Sequence, residues 1–236
     1  MDSSPSGLTA IWILAYTDPT STMIRFDMHV SKQPLEIEVK FHLPDPQTIR
    51  SKLLDLGAEG RQKVFETNRR YEDETHSLRN SGSLLRLRHD RSWKLTYKRK
   101  PPQSDTQFKI LQEFEVSVDD GHTMHAILES LGYRTVQVYE KWRETFFLGN
   151  TTICIDAMPF GTFLEIEGTK ADILDTSNRL GMEWDKRILA NYLSIFNVLR
   201  KKENLPFSDV TFDNFQSRGV TVIPYLELFY PPERSL

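Results

Sequence analysis

Charged residues of one sign recur at alternate positions along this chain, and few folds can accommodate that pattern. Glu36/Glu38 in LEIEVK (35–40), Arg86/Arg88 in LLRLRHD (84–90), Glu113/Glu115 in EFEV (113–116), Lys141/Arg143 in VYEKWRE (138–144) and Glu165/Glu167 in TFLEIE (162–167) are each two residues apart. Lys94 and Lys98 flank Thr96 on one parity of WKLTYK (93–98), Lys40 follows Glu38, and Asp156 ends TTICID (151–156). Successive side chains of a strand point to opposite faces, so each segment predicts a strand with a charged side and an apolar side. Val39, Leu87, Leu95, Phe114, Ile155 and Leu164 are on the apolar sides.

The pattern is also duplicated. EIEV at 36–39 returns as EFEV at 113–116, and each copy precedes a helix-like segment ending at a glycine, Gly57 or Gly132, where a helix stop is expected. VFETNRR (64–70) then parallels VYEKWRE (138–144), setting Glu66 against Glu140 and Arg69 against Arg143. The offset is 77 at the first strand, 75 at the glycine and 74 after it. A hairpin candidate closes each half, so each reads strand–helix–strand–strand–strand. Helices are expected at 170–181 and 185–203, PPQSDTQ (101–107) joins the halves, and VTVIPYLELFY (220–230) fits an edge strand or a packing arm.

Two arrangements satisfy these strands. In an open sheet, helices would cover the apolar side and water would solvate the charges. In a closed barrel of eight antiparallel strands, helices would cover the apolar faces from outside and the charges would line the interior. Same-sign pairing favours the barrel, because a merely soluble face mixes signs and uncharged polar residues. The expected fold is therefore α+β, an eight-stranded antiparallel tunnel from two pseudo-repeated halves with helices packed outside. Its domain spans 34–200, with an extension at 1–33 containing the apolar run 8–16 and another at 201–236.

A net charge of −3 over 30 cations and 33 anions gives no general affinity for nucleic acid. Cys154 is the single cysteine, which excludes internal disulfides and favours a cytoplasmic, reducing setting. The run at 8–16 is too short to span a bilayer as a helix, so no membrane role is expected. Trp93 and Trp142 are expected under helices. The lining holds seven carboxylates and seven cations. Lys and Arg suit phosphate oxygens, and paired carboxylates suit Mg²⁺ or Mn²⁺, which bridge to phosphate. Both sets together describe a polyanion site for phosphoryl or nucleotidyl transfer, reached without a Gly-rich phosphate loop.

The ordered series EIEVK (36–40), RLR (86–88), KLTYK (94–98), EFE (113–115), KWR (141–143), ID (155–156) and FLEIEG (163–168) resembles the CYTH superfamily, the triphosphate tunnel metalloenzymes. LTYK, FLEIE and the helices at 180–196 look most like its class IV adenylyl cyclase branch, although Arg99-Lys100-Pro101 departs from the glycine–proline usual there. The resemblance implies Glu36, Glu38, Glu165 and Glu167 as metal ligands, and Arg86, Arg88, Lys94, Lys98, Lys141 and Arg143 as triphosphate ligands. Lys40 would sit near the triphosphate. Glu113 and Glu115 would serve a second metal or orient water, and Asp156 would be a base or metal helper. The implied function is metal-dependent hydrolysis of tripolyphosphate, a nucleoside triphosphate such as ATP, or thiamine triphosphate. Alternatives are a cyclase making cyclic AMP and pyrophosphate, and a non-enzymatic polyphosphate- or nucleotide-binding module. The apolar tail leaves a homodimer open.

Overall fold

The computed structural model describes residues 35–103, 105–216 and 218–232. The expectations for 1–33 lie outside them.

Nine strands form in chain order: β1 (Leu35–His42), β2 (Glu59–Gly60), β3 (Val64–Glu72), β4 (Leu84–His89), β5 (Trp93–Arg99), β6 (Lys109–Val118), β7 (Arg134–Leu148), β8 (Thr151–Met158) and β9 (Gly161–Glu167). They pair antiparallel in the order β7-β3-β4-β5-β6-β1-β9-β8, and β8 returns to β7, so eight strands close into a barrel. The two-residue β2 adds to the edge of β7. Closure depends on the 15 residues of β7, whose first part pairs with β3 and whose last part pairs with β8.

The halves are related as the sequence repeat implies. Exchanging β1 with β6, β3 with β7, β4 with β8 and β5 with β9 maps the ring of pairings onto itself. The turns repeat too. Asp45 caps α1 (Pro46–Asp55) and Asp120 caps α3 (Gly121–Ser130), separated in the chain by the four-residue α2 (Ser77–Asn80). Each aspartate accepts from two backbone amides and from a threonine hydroxyl at 2.5 Å, Thr48 in one half and Thr123 in the other. Gly57 and Gly132 then take the left-handed conformation that ends each helix.

One alignment fails at the third strand. Glu66 lies opposite Lys141, and both point into the barrel, whereas Glu140 lies on the other face and accepts from the Phe212 amide. Arg69 likewise shares the outer face while Arg143 points in. Because side chains alternate, the even offset of 74 pairs an inward residue with an outward one.

Apolar strand faces point outward, as expected. Val39, Phe41, Ile153, Ile155, Leu164 and Ile166 pack against Ile49 and Leu53 of α1 and Ile173 and Leu180 of α4 (Lys170–Leu180). Tyr71, Leu87, Leu95 and Trp93 pack against Leu128 and Met124 of α3. Trp93 is thus under a helix, but Trp142 is not: it is 40% exposed and stacks edge-on with Phe65.

The single helix expected at 185–203 is interrupted. A 3-10 turn covers Trp184–Lys186, and α5 runs only from Tyr192 to Lys202, capped by Asn191. Between them Ile188 exchanges both backbone hydrogen bonds with Lys40. The β1–β6 pairing stops at Glu38↔Lys109, which leaves Lys40 free to accept this substitute. Beyond α5 a short α6 (Phe212–Phe215) and a 3-10 turn at Ile223–Phe229 follow, so 220–230 is a packing arm rather than an edge strand. Leu205, Val210, Phe215 and Val222 join α5 in burying Tyr139, Met158, Phe160 and Phe163. Phe163 shares the inward parity of Glu165, so this cluster plugs one end of the barrel.

Candidate functional site

All fourteen charged residues singled out above lie on inward-facing positions. The register places them in rows: Lys98 beside Glu113, Arg88 beside Lys94, Lys40 beside Glu165, and Glu38 beside Glu167. Sequence reading missed four further inward side chains: Glu66, Asn68, Lys109 and Tyr192. Glu66 and Asn68 were hidden by the even offset. Lys109 continues the odd-numbered parity of Glu113 and Glu115, a signal present in KILQEFE. Tyr192 comes from the plug and carries no local signal.

The charges pair around the whole circumference. Lys40, 1% exposed, reaches Glu165 at 2.7 Å and Glu38 at 3.2 Å, with its ammonium 4.7 Å above the Tyr192 ring. Lys109 meets Glu38 at 2.6 Å. Lys98 bridges Glu36 at 2.5 Å and Glu113 at 3.1 Å. Glu115 takes Arg88 at 3.0 Å, Lys94 at 2.9 Å and the Thr96 hydroxyl at 2.9 Å. Asp156, with no exposed surface, accepts from Lys141 at 2.8 Å, from Arg143 at 2.6 Å and from Tyr192 at 2.9 Å. Arg143 also binds Glu165, and Arg88 approaches Glu66 at 3.7 Å, which joins the walls into one network.

Burial alone would neutralise these groups, and the pairing prevents it. It would push the Glu38 carboxyl up, but Lys109 and Lys40 outweigh it and hold the group at about 2. Glu66 is likewise held at about 2 against burial, by Lys141, Arg143 and Arg88. Lys40 is raised despite burial because Glu165 and Glu38 face it. Cys154 faces the interior, but burial pushes its thiol up to about 11, so it stays protonated and is no nucleophile.

Glu167 differs. It is exposed, and among the described residues no cation is within ion-pair distance of it. Partial burial and then the charges of Glu36 and Glu38 push its carboxyl up to about 7. Glu36 is raised as well, by burial and Glu38. Carboxylates that destabilise one another's ionised forms have unmet demand for a cation, and oxygen donors suit Mg²⁺ or Mn²⁺. The oxygen donors of Glu36 and Glu167, with the ionised Glu38 alongside them, therefore fit a divalent ion. Among the described residues no three acidic, histidine or cysteine side chains stand ready as a cage, since Glu36 and Glu38 are turned to Lys98 and Lys109.

A separate cleft of about 900 Å³ lies outside the barrel between β3, α3 and β7. Its charges pair locally, Arg134 with Glu74 and His125 with Glu129. Among the described residues no helix is long and apolar enough to cross a membrane.

Comparison with known proteins agrees with this geometry. The CYTH domain family matches residues 34–179. A Methanocaldococcus jannaschii protein named "Putative adenylate cyclase MJ0240" is 28% identical over 169 residues, covering 71% of this chain and 95% of that protein. A solved "putative adenylate cyclase" of Vibrio parahaemolyticus superposes with a TM-score of 0.62 at 18% identity, over 70% of this chain and 99% of its own. HpAC1 of Hippeastrum, described as a "putative adenylyl cyclase" with a dominant triphosphatase activity, superposes with a TM-score of 0.51 at 18% identity, over 69% and 95%. At such identities the two structures establish the shared fold.

Proposed function

This chain belongs to the CYTH family, and on that premise we propose that it is a divalent-metal-dependent triphosphatase acting on inorganic tripolyphosphate, a nucleoside triphosphate or thiamine triphosphate. The observation that carries the reading is enclosure: a barrel interior lined by sorted cations and carboxylates, plugged at one end by Tyr192 and its neighbours. The enclosed charges pair with one another, and a linear polyanion with its metal would offer new partners to both signs at once, phosphate oxygens to the cations and the metal to the carboxylates. HpAC1, which shares the fold, supports hydrolysis as the reaction.

In this reading Arg86, Arg88, Lys94, Lys98, Lys141 and Arg143 hold phosphate oxygens, with each guanidinium able to grip two. Glu36, Glu38, Glu165 and Glu167 would hold Mg²⁺ or Mn²⁺. When bound, the ion would neutralise charge that develops on the phosphoryl oxygens. Lys40 fixes the spacing of Glu38 and Glu165 on adjacent strands. Glu113 and Glu115 balance the cations of β4 and β5, and a second ion or water is their further candidate partner. Asp156 has both oxygens engaged by Lys141, Arg143 and Tyr192, which suits it to positioning cations rather than to acting as a base.

A second reading, cyclisation of ATP, is favoured by the name of the Methanocaldococcus relative. Incubation with ATP or tripolyphosphate and Mg²⁺ or Mn²⁺, followed by separation of the products, decides between them. Phosphate release is expected. Cyclic AMP with pyrophosphate would replace this reading with the cyclase, and tight binding without turnover would replace it with a binding module.

A further inference from the structure

Five polar side-chain atoms of adjoining strands β3 and β4 are buried without a hydrogen bond: Glu66 Oε2, whose one close neighbour is the Lys141 ammonium in a loose ion pair at 3.5 Å, both amide atoms of Asn68, and the Nε atoms of Arg86 and Arg88. Asn68 has no exposed surface, and the register sets it opposite Arg88 on one side and Tyr139 on the other. Buried polar groups are almost always satisfied, and each orphan costs about 1–3 kcal/mol. The rest of the interior follows that rule. Asp156, Glu115, Glu165 and Glu38 each have two or more partners. Among the described residues one further unsatisfied atom, Thr135 Oγ1, lies apart on β7 beside the outward Tyr71, and these five share one patch of wall, across the barrel from the Glu36–Glu38–Glu167 cluster.

The patch combines two hydrogen-bonding characters. Arg86 Nε, Arg88 Nε and the Asn68 NH₂ only donate, while Asn68 Oδ1 and Glu66 Oε2 only accept. Phosphate oxygens use donors and leave acceptors idle. A water molecule uses acceptors for both its hydrogens. We propose that Glu66 and Asn68 hold the attacking water against a terminal phosphoryl group gripped by Arg86 and Arg88. The assignment rests on the triphosphatase reading and adds to it the residues that orient the nucleophile.

In the step, the water oxygen forms a new bond to the terminal phosphorus. The bridging P–O bond breaks with its electron pair leaving on the shortened polyphosphate, and both water hydrogens leave on the released phosphate, one on the attacking oxygen and one passed to another oxygen of that phosphate. Glu66 is held ionised by Lys141, Arg143 and Arg88, so it serves as a fixed acceptor and not as the proton's destination. Glu115 is a poorer water holder because Arg88, Lys94 and Thr96 already occupy its oxygens. A cyclase brings its own nucleophilic hydroxyl and needs no such pair of acceptors.

The test uses the full chain with tripolyphosphate and Mn²⁺ or Mg²⁺. Asn68→Leu removes the amide, and Asn68→Asp keeps an acceptor beside Arg88. For Asn68→Leu the thermal midpoint should hold or rise, KM should stay within about threefold, and kcat should fall about 100-fold. Asn68→Asp should restore kcat to within about tenfold of wild type. An active wild type with Asn68→Leu turning over equally fast would overturn this inference alone. So would a variant whose midpoint, KM and kcat all deteriorate together and are not rescued by Asn68→Asp. A wild type releasing no phosphate would overturn the triphosphatase reading, and the water-holding role with it.

Discussion

The Tyr192 hydroxyl donates to Asp156 Oδ2 at 2.9 Å, tying the plug helix to the barrel wall. Asp156 in turn orders Lys141 and Arg143, so a residue of the plug sets the position of two interior cations. Tyr192→Phe keeps the ring that packs on Phe163 and under Lys40 while deleting the bond. Because the acceptor is buried and charged, the variant should lose about 1.5–3 kcal/mol in urea unfolding. An unchanged midpoint would mean that the plug is held by its apolar contacts alone.

Lys40 is the most enclosed cation of the site, facing Glu165 and Glu38. Lys40→Met fills similar volume and leaves two carboxylates without it, although Lys109 and Arg143 remain with them. Breaking a buried pair from one side costs about 3–5 kcal/mol, so a loss of that size is expected in metal-free buffer. Mn²⁺ should recover more stability in the variant than in wild type, since the freed carboxylates can turn to it. Equal recovery in both proteins would count against these glutamates as cation ligands.

Alternation made most of this architecture legible. Glu36 and Glu113 point inward because same-sign residues two apart mark one strand face, and apolar partners such as Val39 and Leu164 required helices outside. The duplicated caps at Asp45 and Asp120, which the structure adds, belong to the same repeat. What failed was phase: after the helices the offset of 74 was one residue short of the 75 that relates Glu66 to Lys141, which reversed Glu66 and Glu140 and lost the inward Glu66–Asn68 row. The plug was invisible for another reason. Tyr192 meets Asp156 across 36 positions of chain through tertiary packing, and the apolar stripe of α5 looks the same whether it covers a barrel side or a barrel end.

Gly121 begins α3 with its α-carbon against the Trp93 indole. A β-carbon there would lie 2.0 Å from the ring, well inside van der Waals contact. Its backbone is not in the left-handed region, so the constraint is space. Gly121→Ala should therefore displace Trp93 from beneath α3 and cost about 1–3 kcal/mol, accompanied by a change in tryptophan fluorescence. The equivalent position in the other half is Pro46, at the start of α1. A variant as stable as wild type with an unshifted emission would refute the close packing.

Glu167 gives the site its pH response. Its carboxyl rises from 4.5 to about 7 through partial burial and the charges of Glu36 and Glu38. A group whose folded pKa is raised contributes stability below its unfolded pKa and loses it as pH climbs through the folded value. In metal-free buffer that contribution should fade between pH 4.5 and about 7. Glu167→Gln removes the titration, so its advantage over wild type in urea should be larger at about pH 8 than at about pH 5. A divalent ion reverses the preference because it competes with the proton. With Mn²⁺ present, wild type should gain stability from about pH 6 to about pH 8 while Glu167→Gln gains less. The same difference between the two proteins at every pH, with and without metal, would remove Glu167 from the cation site.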